Sequence, residues 1–208
     1  MSLAAIRTKV RQHTDKVLNF DNTADIDPAV NTWYLSCWKK LALIRPDLAM
    51  ATDPIALVAG TSSYTVSATD YLCPQFIQAS ATYIDGKKYV FAVQSREFYR
   101  YDDQAQPLVA QRAGTTLIFQ PTPDVTMEVT LHYIRTPPTI TTSVAEIIFG
   151  VDTLAFGGIA ELYDSINFPD ADGYHAKAQK FLQDDLNVLN TFGHNSGLML
   201  TVSGFPYE

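Results

Sequence analysis

The hydrophobic period of this chain changes twice, and no other feature restricts its fold as strongly. Between Tyr64 and Arg135 apolar residues alternate in short runs, whereas on either side they recur every three to four positions. Alternation puts side chains on opposite faces of a strand, and the longer period gathers them into one stripe of a helix. Strands that follow one another without intervening helices leave no crossover to join parallel neighbours. The expected fold class is therefore α+β: a helical bundle from N- and C-terminal helices, with an all-antiparallel β-sandwich inserted. The implied divisions are N-terminal helices over 1–50, the β unit over 51–140, C-terminal helices over 141–192, and a flexible C-terminal extension over 193–208. A chain of 208 residues is long enough to bury a core of this kind.

Leu3, Ile6, Val10 and Val17 form the apolar stripe of a first helix over about 3–18. Asn19 to Asp27 reads as a polar linker. Asp27-Pro28 then reads as an N-cap acid with proline at the first helical position, where a missing N–H is no loss. Val30, Trp33, Tyr34, Cys37, Trp38 and Leu41 line the second helix, which should end before Pro46. In the β region, Val58 to Val66 pairs a glycine turn with a short strand, and Gln75 to Thr82 is a second candidate. Asp85-Gly86 between β-formers predicts a hairpin turn. Gln111–Gln120 and Val125–Arg135 read as two strands joined across Pro121-Thr122-Pro123-Asp124 and stopped by Pro137-Pro138. In the second of these, Val125, Met127, Val129, Leu131 and Tyr133 share the core face, with Ile134 on the other. Helical spacing returns over Val144–Ile166, thinned by Gly150 and the Gly157-Gly158 pair. Two glycines inside a helix cost about 1–2 kcal/mol, which implies a close backbone approach there. Tyr174–Leu189 predicts a last helix with Ala178, Phe181, Leu182, Val188 and Leu189 towards the core.

Charge restricts the partners. Fifteen Lys and Arg against 22 Asp and Glu give a formal net charge of -7. A protein that grips many phosphates carries the opposite sign, so sequence-independent duplex binding over a broad basic surface is excluded. Residues 1–50 hold seven basic and five acidic side chains, whereas residues 141–208 hold only Lys177 and Lys180 against nine acids. The two ends are thus expected to face different surroundings. No apolar run is long enough to cross a bilayer, and Arg7, Lys9 and Arg11 interrupt any signal-peptide core. With two Cys and no disulfide framework, the expectation is a soluble protein of a reducing compartment.

No local motif carries chemistry. His13, His132, His175 and His194 stand apart from one another, and Cys37 and Cys73 form no ligand pair, so no metal or cofactor is expected. The pairs Asp102-Asp103, Asp170/Asp172 and Asp184-Asp185 read as solvated surface acids, since neighbouring residues diverge on a strand or helix. Eleven Tyr, eleven Phe and two Trp would suit a sugar or single-strand binder, but basic residues are not interleaved among them. The same aromatics suit a protein interface. Trp33 and Trp38, one turn apart, read first as core residues joining helix to sheet; with Gly157 and Gly158 they are also the candidates for contacts between copies. Gly193, Leu198, Leu200 and Phe205 are the candidates in the extension, which should order only against a partner.

The order of these features resembles a family. A first helix beginning Leu3-Ala4-Ala5-Ile6-Arg7 leads through an acidic linker to the Trp33/Trp38 helix. Ala59-Gly60 precedes the Tyr64-Thr65-Val66 strand, Asp85-Gly86 a hairpin, and Ser95-Arg96-Glu97-Phe98 follows. Gly114-Thr115-Thr116-Leu117 runs into Pro121-Thr122-Pro123, and a strand then ends Tyr133-Ile134-Arg135-Thr136-Pro137-Pro138 before two closing helices. In this it is similar to the head-to-tail connector, or portal adaptor, proteins of tailed bacteriophages. The resemblance implies a non-enzymatic virion protein at the head–tail junction, soluble in the host cytoplasm before assembly. It implies a homo-oligomeric ring, typically twelvefold, between the portal protein and a tail nozzle or tail tube protein. Genomic DNA would pass through its channel without sequence-specific binding, and no membrane is involved. The alternatives are a glycan- or small-ligand-binding β-sandwich and another phage tail component.

Overall fold

The computed structural model describes residues 2–14, 18–65, 71–82, 88–94, 104, 105, 107, 109–113, 116–141 and 148–195. The chain divides into two compact units, one of residues 1–45 with 138–208 and one of 46–137. The first is helical and the second mainly β, so the fold class is α+β.

In the helical unit, α1 (Leu3–Thr14) buries Leu3, Ile6, Val10 and Thr14 along one stripe. Part of the expected linker is helical: a π-helical turn, Asn22–Ile26, runs directly into α2 (Asp27–Ile44). This moves the cap. The Asp21 carboxylate accepts the N–H groups of Thr23 and Ala24 at 2.7 and 2.8 Å, while Asp25 accepts the Asp21 N–H. That reciprocal bonding works as a capping box does, with the returning acid four rather than three residues after the cap. Asp27, expected as the cap, already lies inside the helix, and its carboxylate takes the Arg7 guanidinium instead. Proline stands at the start of α2 as the sequence implies, and all six residues of its predicted apolar face are buried.

The C-terminal half of the unit has α4 (Val151–Ser165) and α5 (Ala171–Asn195). The first of these is central: it touches α1, α2 and α5. Every residue from Thr153 to Ala160 is buried, as are Leu162 and Tyr163, which is the pattern of a helix packed on all sides. Gly150 is the N-cap rather than an internal glycine, and residues 144–147 of the longer predicted helix lie outside the described residues. Ala178, Leu182 and Leu186 bury the core line of α5, whereas Val188, expected inside, is 53% exposed. The last helix continues through Gly193, so the expected extension starts inside α5. Leu198, Leu200 and Phe205 lie outside the described residues.

The β unit opens with a short helix, α3 (Pro46–Ala49), and an unpredicted strand, β1 (Met50–Leu57). Six strands follow: β2 (Ser63–Thr65), β3 (Tyr71–Thr82), β4 (Lys88–Gln94), β5 (Val109–Ala113), β6 (Thr116–Gln120) and β7 (Met127–Arg135). They join edge to edge in the order β1-β7-β3-β4-β5-β6-β2. Pro54 lies within β1, which is tolerable because β1 is an edge strand. The expectation of an all-antiparallel unit needs one correction: β4 and β5 pair in parallel over Val93↔Ala110 and Gln94↔Gln111. A second concerns Gln111–Gln120, which is two strands, β5 and β6, paired antiparallel from Val109↔Gln120 to Ala113↔Thr116. The predicted Asp85-Gly86 turn lies outside the described residues, although β3 and β4 do pair antiparallel up to Thr82↔Lys88.

One apolar cluster unites the two ends of this strand order: Leu57 of β1, Ala110, Leu117 and Phe119 of β5 and β6, and Val129 and Leu131 of β7. Met127 and Tyr133 pack against it, which fits the predicted face of β7, but Ile134 on the opposite face is buried too. Gly60 takes φ +79° at the turn before β2, where an L residue is strained. The Tyr64 hydroxyl fixes this turn by accepting the Val58 N–H at 2.7 Å and donating to the Thr61 carbonyl at 2.9 Å.

Candidate assembly surface and its support

Trp33 and Trp38 are both buried. Burying a Trp contributes about 4–6 kcal/mol before side-chain entropy is counted. Trp33 lies against Gly157 so closely that a β-carbon at 157 would overlap its ring. Its indole N–H has no hydrogen-bond partner among the described residues, so packing alone holds it. At Gly158 a β-carbon would come 2.6 Å from Val30 Cγ2. The close approach implied by the glycine pair is thus made by α2 of the same chain, on the side that Val30 and Trp33, three positions apart, present together. Trp38 packs edge-on to Tyr34, which meets Phe149 in turn.

The start of α4 is held from outside its own sequence. Gly150 has no side chain to cap the helix, and the Asp185 carboxylate of α5 replaces it. One oxygen accepts the Gly150 N–H at 2.7 Å and the Thr153 hydroxyl at 2.5 Å. Adjacent Asp184 is exposed. The reading of both as solvated acids therefore holds for Asp184 and is corrected for Asp185, because a step of 100° on the helix turns one inward. Asp164 likewise has a partner, His175 Nε2 at 2.6 Å. Burial raises the pKa of nearby Glu161, against the attraction of His175.

Charges tie α1 to the rest of the unit. Arg7 pairs with Asp27, and the bond to that carboxylate raises its pKa further. Lys9 pairs with Asp152 at the start of α4, a favourable end for a carboxylate. His13 meets the Phe156 ring at 5.0 Å, with Tyr174 edge-on at 6.3 Å. Lys177 lies over both Phe156 and Tyr174. Desolvation, then Lys177 and Lys9, lower the His13 pKa against the pull of Asp152. The neutral ring is thus the form the fold favours. Its contribution is complete above the ordinary value of 6.5 and is lost as pH falls from there through the lowered value. Denaturant unfolding of the wild type should lose stability on acidification through that window, and His13→Phe, which keeps the ring, should lose less. Equal slopes in the two proteins would contradict this.

Little else converges. Burial pushes the Cys37 thiol up to about 12, which makes it inert at neutral pH. A cavity of about 370 Å³ lies between α1, the start of α2 and the segment Thr139–Thr141. Its polar walls are already paired: Arg7 with Asp27, and Asn31 with both the N–H and the carbonyl of Ile140. Among the described residues no group of three His, Cys, Asp or Glu is placed to hold a metal, and no helix is long and apolar enough to cross a membrane. What the sequence reasoning missed is the exposure of Leu43 and Ile44 at the end of α2 and of Val188 on α5. The available signal was Leu43, which falls off the Trp33–Leu41 stripe.

The described residues therefore bring together packing seams, a cap in trans and ion pairs, the makings of a structural part. A family model described as SU10 adaptor protein matches residues 1–196, and the chain belongs to that family. It is a bacteriophage structural adaptor, a component of the virion. The resemblance read from the order of its sequence features is thereby established. No curated protein matches it.

Proposed function

We propose that this adaptor forms a homo-oligomeric ring, twelvefold in the virion, that joins the portal protein to a tail nozzle or tail tube protein and lines the DNA channel. In this reading the helical unit is a bundle and the β unit a sandwich, and DNA passes on ejection without being read. The observation that carries it is the family match, which runs through both units rather than through one of them. The charge supports it: the acid-rich stretch after residue 141 suits a wall along which phosphates slide rather than bind. Ring closure requires that one face of a subunit meet a different face of the next, with about 1,000 Å² or more buried per contact. Trp33, Trp38, Gly157 and Gly158 serve this indirectly by fixing α2 against α4, so contacts between copies fall to exposed side chains. The segment after Asn195, with Leu198, Leu200 and Phe205, is the element that docks on the portal, and Gly193 lies in the last turn of the helix that presents it.

Electron microscopy of the protein mixed with its cognate portal tests the reading. The expected result is a ring seated coaxially on the portal and lost when residues 196–208 are deleted. A protein that binds no portal and stays monomeric in its presence would sink it.

A further inference from the structure

Leu43 and Ile44 in the last turn of α2 are 70% and 44% exposed, and Val188 of α5 is exposed as well. All three belong to one end of the helical unit, because the Arg45 guanidinium donates to the Leu189 carbonyl. At this end α5 outruns its neighbour. Asp185 bonds the first turn of α4, so Leu186 to Asn195 continue past the point where α4 begins. Single exposed apolar residues need no account, but these lie on two helices tied together by that bond.

Residues 196–208 follow α5 in the sequence. They carry Leu198, Met199, Leu200, Val202 and Phe205, with no charge before Glu208. The family match ends at residue 196, so the exposed residues lie within the shared part of the chain and this stretch lies beyond it.

We propose that Leu43, Ile44 and Val188 form the seat of the chain's own C-terminal segment, filled in the free subunit by residues between Leu198 and Phe205. Reach permits it. Val188 lies about 10 Å along the helix from Asn195, and the segment can extend about 40 Å. Tethering favours the chain's own segment over that of a second copy, because a short link gives an effective concentration of around mM. Burial of the segment also keeps a run of large apolar side chains out of water. Where the adaptor reading holds, the portal takes the segment from this seat.

The test uses the free full-length chain. Val188→Cys and Leu200→Cys are introduced together in a Cys73→Ser background, with inert Cys37 left in place. Diamide oxidises the two thiols to one disulfide and is itself reduced to the hydrazine. The expected product is a cross-link within one chain, in a yield unchanged by dilution and cut to background by Leu43→Asp. In the control, Asn190→Cys replaces Val188→Cys. Asn190 is exposed and two residues further on, so it points about 200° away, and its cross-link should stay at background. Cross-links only between chains, equal yields at 188 and 190, or none at 188 would each overturn the proposal. No arm involves a portal, so this outcome and the microscopy are decided separately.

Discussion

Gly157→Ala should destabilise the helical unit by about 3 kcal/mol, the upper part of the range for overpacking a core. Helix propensity alone would predict a gain of about 1 kcal/mol, so the sign of the effect distinguishes packing from propensity. The added methyl would overlap the Trp33 ring, which is itself buried and has no open side to swing into. Trp33→Ala should cost about 3–5 kcal/mol by leaving a cavity. In that background Gly157→Ala should be neutral or stabilising, because the methyl enters the vacated space. The double-mutant cycle measured by denaturant unfolding should thus show a coupling of about 3 kcal/mol. Additive losses would mean that the ring and the glycine are not in contact. Gly158→Ala should cost less than Gly157→Ala, since only a valine methyl must give way.

Asp185→Ala should cost about 2–3 kcal/mol, and Asp184→Ala close to nothing. The first removes a charged acceptor from the Gly150 N–H and from the hydroxyl of Thr153, which is 1% exposed. Leaving a buried donor unmet costs about 1–3 kcal/mol, and a lost cap costs about 1 kcal/mol. Asp184 faces water one position away and makes no such bond among the described residues. Asp185→Asn keeps one acceptor oxygen and should fall between the two. Equal losses at 184 and 185 would mean that general helix charge, not the cap, decides.

These two sites show what the sequence made legible and what it did not. The need for a close approach at Gly157-Gly158 was readable, because glycine inside a helix has a cost that something must offset. Which surface came close was not, since Val30 and Trp33 are more than a hundred residues away and only the packing of α2 on α4 brings them there. The same holds for Asp185: its partner is the bare N-cap at Gly150, invisible to any local pattern. The stripe of α2 was readable in full because it depends on spacing alone. Its cap was misplaced because Asp27-Pro28 satisfies the local rule, while Arg7 takes the carboxylate and Asp21 caps the turn before it. In the β unit, alternation gave the core face of β7 but concealed β1, where Pro54 looks like a stop unless the strand is known to be at an edge. Family membership was readable from the order of the motifs, and no single motif would have carried it.

The pairing of β1 with β7 has a consequence for how quickly the chain can find its fold. Val30 and Gly158 must meet across the whole stretch from Pro46 to Pro137, a separation that slows a search. Yet β1 and β7 begin and end that stretch, and their ladder holds Met50 opposite Ile134. Once it has formed, the path between Val30 and Gly158 shortens from about 130 residues to about 45. By the logarithmic cost of closing a loop, that saves about 1 kcal/mol of chain entropy. Closing of the sheet before the helices would therefore speed their docking, and a β1 that pairs late would leave α1 and α2 waiting for α4.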